Sequence, residues 1–173
     1  MVANRIRALF NTGKTYVSYK SQDEHVRYKD ARDLPKKLGK YATLAKLSYR
    51  APGERPRAWK GYRLLEDFNE PEHAVYMDSK GKAIFLNRGT SSGADVVSDL
   101  DLFRGGAASK RTAQDKAFVQ RFLEQHPESR GNLTAAGHSL AGRTILNLNA
   151  EQPGLFKNVF AYSPGFSPTD DAS

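Results

Sequence analysis

The stretch Leu133-Thr134-Ala135-Ala136-Gly137-His138-Ser139-Leu140-Ala141-Gly142 decides the fold. Its first four residues form a short apolar run of the kind found in buried strands. Leu140 to Ala150 then places Ala141, Ile145 and Leu148 on one helical face. Between strand and helix, Gly137 and Ser139 stand in the register Gly-x-Ser-x-Gly, with Ala141 at the second glycine position and Gly142 following. A serine hydroxyl is a poor nucleophile and must be presented at a sharp turn, where a base reaches it from one side and a carbonyl from the other. Small neighbours relieve the crowding of such an elbow, and the helix behind it aims amides and its positive dipole end at a developing oxyanion. The alternative for the same residues is a glycine-containing turn whose serine only caps the following helix.

Outward from the elbow the apolar period alternates between strand and helix. On the N-terminal side, Phe118, Val119, Phe122 and Leu123 predict a helix over 112–126, with Thr112 and Asp115 in capping-box spacing at its start. On the C-terminal side, Val159 to Tyr162 is a further strand. Earlier, Ala74–Met77 and Ala83–Leu86 flank the turn residues 78–82 and predict a hairpin, preceded by a strand over 61–68. Leu34, Leu38, Tyr41, Leu44, Ala45 and Leu47 predict an amphipathic helix, closed off by the Gly/Pro/Arg segment 51–57. The expectation is an α/β protein: a mixed, mostly parallel sheet with an antiparallel hairpin and flanking helices, right-handed at its crossovers. Residues 34–173 form that domain, and residues 1–33 are a basic, polar extension or part of an interface.

Composition narrows the function classes. The 173 residues, 39% hydrophobic, suffice for one packed core, and the absence of cysteine excludes disulfides, thiolate metal sites and a cysteine nucleophile. The basic N-terminus has no long apolar stretch behind it, and no run reaches the ~18 residues of a membrane span, so neither a signal peptide nor a transmembrane segment is read. Residues 1–63 hold 16 of the 27 Lys+Arg and 5 of the 19 Asp+Glu, a net of +11 against −3 for the remainder. Such a stretch can meet an anionic membrane surface by Coulomb attraction. Nucleic acid is the less favoured partner, because no binding motif accompanies the charge and spread lysines are usually solvated.

Three motifs together resemble the class 3, fungal-lipase-like lipases of the α/β-hydrolase superfamily. The elbow Gly137-His138-Ser139-Leu140-Ala141-Gly142 is similar to their Gly-His-Ser-Leu-Gly-Gly. Asn87-Arg88-Gly89-Thr90, followed by Asp99-Leu100, is similar to their oxyanion strand end, and Ser163-Pro164-Gly165 to the turn after their next strand. The resemblance spans about residues 34–166. It implies that Ser139 is the nucleophile, that Thr90 and the Leu140 N–H form the oxyanion hole, and that Asp99 orients Thr90. Gly137, His138, Ala141 and Gly142 shape the elbow, and Ser91–Ser98 stands where a lid would be. The implied substrate is an acyl glycerol or phospholipid ester, with no cofactor and no metal ion. Two departures stand out: Asn87 replaces an aromatic residue, and Arg143 replaces a small one.

The order of such a triad is Ser, then Asp or Glu, then His, and no histidine follows Ser139. Asp170 and Asp171 read as a polar tail. Upstream, His138 is expected to pack beneath the site, His126 to end a surface helix, and His25 and His73 to be solvated. Three expectations remain open: the chain is part of a longer enzyme, it is an inactive lipase-like interaction module, or another chain completes the site. A sheet ending at Tyr162 would expose a parallel edge and call for a covering partner chain.

Overall fold

The computed structural model describes residues 17–21, 25–28, 36–89 and 106–162, with side chains over 40–89 and 109–162. Thr90, Asp99, the lid-like segment 91–98, the turn 163–165 and the tail carboxylates lie outside the described residues. One sheet runs through the molecule. Its strands are β1 (Val17–Ser21), β2 (His25–Tyr28), β3 (Ala58–Trp59), β4 (Tyr62–Asn69), β5 (His73–Met77), β6 (Ala83–Asn87), β7 (Leu133–His138) and β8 (Asn158–Tyr162), in the order β2-β1-β8-β7-β6-β5-β4-β3. Among the described residues three α-helices accompany it: α1 (Lys36–Leu47), α2 (Gly106–Gln125) and α3 (Leu140–Glu151). None of the described helices is long and apolar enough to cross a membrane.

The alternation of side chains along the strands divides the core into two layers. Ile84, Leu86, Ala136, Phe160 and Tyr162 pack with Tyr41, Leu44 and Leu47 of α1 on one face. Phe85, Ala135, Val159 and Ala161 pack with Phe118, Phe122, Ile145 and Leu148 of α2 and α3 on the other. β6, β7 and β8 are buried on both sides, which explains their unbroken apolar sequence. They are joined in parallel through α2 and α3, as the alternating periodicity predicts. The hairpin of β5 and β6 is present too, with the turn at Asp78–Lys82 closed by the Asp78 side chain accepting from the Lys80 and Lys82 amides.

Three expectations change. The sheet is mixed but mostly antiparallel, because β3, β4, β5, β1 and β2 all join it antiparallel and only β6–β7 and β7–β8 are parallel. The polar N-terminal stretch contributes two of these strands: β1 pairs with β8, Tyr19 opposite Phe160, so the edge beyond Tyr162 is covered within the chain. Their hydrophobic period is too weak to announce them, since backbone pairing supplies the hydrogen bonds whatever the side chains are. Finally, α2 begins at Gly106, which places Thr112 and Asp115 inside the helix and buries both.

β1 lies between two strands, so proline at Tyr19 removes a ladder donor and strands its acceptor. Tyr19→Pro is expected to lower stability by about 1–3 kcal/mol in urea denaturation; an unchanged midpoint would show that β1 does not hold the β8 edge.

Candidate active site

Ser139 links β7 to α3 with φ 58° and ψ −128°. This lies outside the left-handed basin that non-glycine residues occasionally visit, and such a conformation costs of order 1–3 kcal/mol. The other described non-glycine residue with positive φ, Lys60, sits in the exposed turn between β3 and β4, whereas Ser139 is buried. Two backbone bonds hold the strained residue: its N–H donates to the Tyr162 carbonyl (2.9 Å), and its carbonyl accepts from the Arg143 N–H (3.1 Å). Its side chain makes no capping hydrogen bond to α3, so helix capping does not explain the serine.

The small residues around it have steric reasons. A Cβ on Gly137 would lie 2.9 Å from the carbonyl carbon and oxygen of Ala141, so the strand can meet the first turn of α3 here only as glycine. Ala141 and Gly142 are buried against the sheet. Alanine therefore fits the second glycine position, and the half-buried Arg143 does not prevent α3 from packing. Leu140 opens α3, with its amide among the first-turn donors that have no partner further up the helix.

Sheet register brings the second motif to the elbow. Asn87 ends β6 opposite Gly137 of β7, and the chain then leaves through Arg88 and Gly89. A Cβ on Gly89 would lie 2.5 Å from the His138 carbonyl oxygen and closer still to the Tyr49 hydroxyl. The exit of β6 thus rests directly on the elbow. Thr90 is the next residue in sequence, and neither it nor Asp99 is among the described residues.

Beneath the site, on the α1 side, the Tyr49 hydroxyl bonds His138 Nδ1 at 2.7 Å. Burial pushes the imidazole down to about 4 and the phenol up to about 12, so at neutral pH an uncharged phenol and an uncharged ring share this bond. The two rings meet edge to face, their centroids 5.8 Å apart. Tyr49 itself was not legible, since it lies just past the end of α1 and carries no motif.

On the opposite face lies a buried polar cluster that sequence reasoning missed. Asp115, fully buried, accepts from His73 Nε2 (2.7 Å) and Arg111 Nε (3.0 Å) at one oxygen, and from Asn87 Nδ2 and the Thr144 hydroxyl (both 2.5 Å) at the other. Asn87 Nδ2 also donates to the Thr144 oxygen (2.9 Å), and Arg111 Nη2 donates to Asn87 Oδ1 and to the Arg88 carbonyl (2.7 Å each). Asn87 thus supplies both a donor and an acceptor at the end of β6. His73, expected to be solvated, is buried and stacks on Phe118 at 4.6 Å. Its Nδ1 lies 3.6 Å from Glu70 Oε2. The groove of about 640 Å³ that it borders, with Glu70, Gln114 and Arg121, is lined by no elbow residue. His126 follows α2 as expected, packed on Phe122 and bonded to Glu128.

Of the three histidines with described side chains, His73 and His126 face carboxylates and His138 faces Tyr49. No group of three His, Cys, Asp or Glu among the described residues could hold a metal ion. No protein-family model, curated protein or solved structure matches this chain.

The shifts of His138 and Tyr49 set opposite limits on stability. His138 has its folded pKa below the unfolded value of about 6.5, so the unfolded chain binds the extra proton between these pH values. Its contribution, on the order of 3 kcal/mol, is full above pH 6.5 and is lost as pH falls toward 4. Tyr49 behaves inversely, its contribution fading as pH rises from about 10 toward 12. Tyr49→Phe is expected to lower stability at pH 7 by about 1–3 kcal/mol by stranding His138 Nδ1; denaturation curves identical to wild type would remove this hydrogen bond from the account.

Proposed function

We propose that the chain is the nucleophile-bearing part of a lipase-like serine hydrolase acting on carboxylic esters of the acyl-glycerol or phospholipid class. The observation that carries this reading is the backbone of Ser139. A buried serine held at φ 58° between a parallel strand and a helix, without capping that helix, matches the strained elbow on which α/β-hydrolases present their nucleophile. Strain of this kind persists only where the surroundings enforce it, and it concentrates at functional sites. Two further features support the reading: the parallel β6-β7-β8 core with its helical crossovers, and the exit of β6 lying against the elbow, where such a fold takes its second oxyanion donor.

In this reading Ser139 Oγ attacks the ester carbonyl, the Leu140 and Thr90 amides hold the resulting oxyanion, and the alcohol leaves as the acyl-enzyme forms. Asp99 orients Thr90. Water then attacks the acyl-enzyme and releases the acid. The proton from Ser139 passes to a general base other than His73, His126 and His138, which are engaged by Asp115, Glu128 and Tyr49. One observation favours a second reading, an inactive lipase-like module in a larger assembly: the histidines with described side chains are engaged by Asp115, Glu128 and Tyr49. In either case the basic residues 1–63 are the stretch proposed to meet an anionic membrane surface.

A fluorophosphonate probe separates the two. An oxyanion hole still accelerates acyl chemistry ~10³–10⁴-fold over water when the triad is disabled. The 173-residue chain is therefore expected to form a slow Ser139 adduct, seen by mass spectrometry, faster with added imidazole and absent in Ser139→Ala. A folded chain that gives no adduct even with imidazole would establish the inactive module.

A further inference from the structure

We infer that the Asp115 cluster is a positioning device for the proposed active site, fixing the exit of β6, and with it the oxyanion side, against the elbow helix. This rests on the reading of Ser139 as a nucleophile. The geometry is specific about what is joined. Thr144 lies in α3, the helix that Ser139 opens, and its hydroxyl donates to Asp115 while accepting from Asn87. Asn87 is the last residue of β6, and Arg111 holds both its side-chain oxygen and the next carbonyl, that of Arg88. One buried carboxylate on α2 thus ties α3 to the two residues after which the β6 exit turns over the elbow. From the other face, Gly89 is pressed against the His138 carbonyl and the Tyr49 hydroxyl. The exit is clamped from both sides.

An apolar cluster of the same volume would hold these elements together but would tolerate sliding, because dispersion and burial are non-directional. This cluster cannot slide without losing bonds. Both oxygens of Asp115 accept two donors each, both hydrogens of the Asn87 amide are used, and a shift of α3 against β6 strands groups that have no water to turn to. A displacement of about 1 Å at an oxyanion donor can lower rates on the order of 100-fold, so a directional lock has a catalytic use that packing alone does not.

Thr144→Val keeps the shape and removes the hydroxyl, and Thr144→Ser keeps the hydroxyl and removes a methyl. Two readouts are taken on the folded 173-residue chain: the imidazole-assisted rate of fluorophosphonate labelling at Ser139, and hydrogen exchange of the 87–89 amides. The expected result is labelling slowed about 10- to 100-fold in Thr144→Val, with faster exchange at 88–89, and both near wild type in Thr144→Ser. Equal labelling and exchange in the two variants would overturn the proposal. Should Thr144→Val fail to fold, Arg111→Met against Arg111→Lys gives the same comparison at the Arg88 carbonyl. If the wild-type chain itself forms no adduct, the nucleophile reading fails alone; exchange at 88–89 still reports whether the cluster fixes the β6 exit.

Discussion

Four donors from four elements converge on the Asp115 carboxylate, and the rest of the site depends on how that charge is accommodated. A fully buried carboxylate is tolerated only when it is paired and fully hydrogen-bonded. Here Arg111 balances the charge, and His73, Asn87 and Thr144 complete the shell. The requirement reaches outward: it fixes β5 through His73, the end of β6 through Asn87, and the helix behind the elbow through Thr144. Without it His73, Asn87 and Thr144 would each lose a hydrogen bond inside an apolar layer. Ser139 can then remain strained, because its neighbours on both sides are not free to relax.

The two faces of the sheet divide the work differently. On the α1 face a neutral pair, Tyr49 and His138, sits beneath the elbow and is uncharged across a wide pH range because burial penalises both ions. On the α2 and α3 face the bonds are ionic and directional. Arg55 plays a comparable structural part at the margin: nearly fully buried, it donates to the carbonyls of Ser48, Glu70 and Pro71 and to Asn69, gathering the turn that leads into β5. His73, the first residue of β5, is thereby delivered to Asp115.

Much of the fold was legible because burial imposes period. β6, β7 and β8 declare themselves as apolar runs, α1 and α3 as helical faces, and the β5–β6 turn through its aspartate, serine and glycine. The elbow was legible because sterics restrict Gly137 and its neighbours to small residues. What escaped was set by tertiary partners. Asp115 and Thr112 show helical capping spacing in sequence, yet α2 starts earlier and turns Asp115 inward. His73 sits among Glu70, Pro71 and Glu72 and reads as solvated, while Asn87 reads as a defect in a motif. Nothing local in Tyr49 or Arg55 announces a buried hydrogen-bonding role. β1 and β2 were hidden for another reason: a strand added to a sheet edge is held by its backbone, which leaves little trace in side-chain pattern.

That last pairing has a consequence for how the chain reaches its native state. The antiparallel ladder between β1 and β8 joins the first described strand to the last. A loop spanning nearly the whole molecule must close before it forms, and such closure is slow relative to the local pairing of β4, β5 and β6. During synthesis β1 can pair with the nearby β2 early, but its other side waits for β8. The carbonyl of Tyr162, which anchors the Ser139 amide, belongs to that same last strand. The turn at Ser139 therefore acquires its geometry late, after the hairpin strands have assembled, and a chain arrested before β8 docks would hold Ser139 in sequence but not in shape.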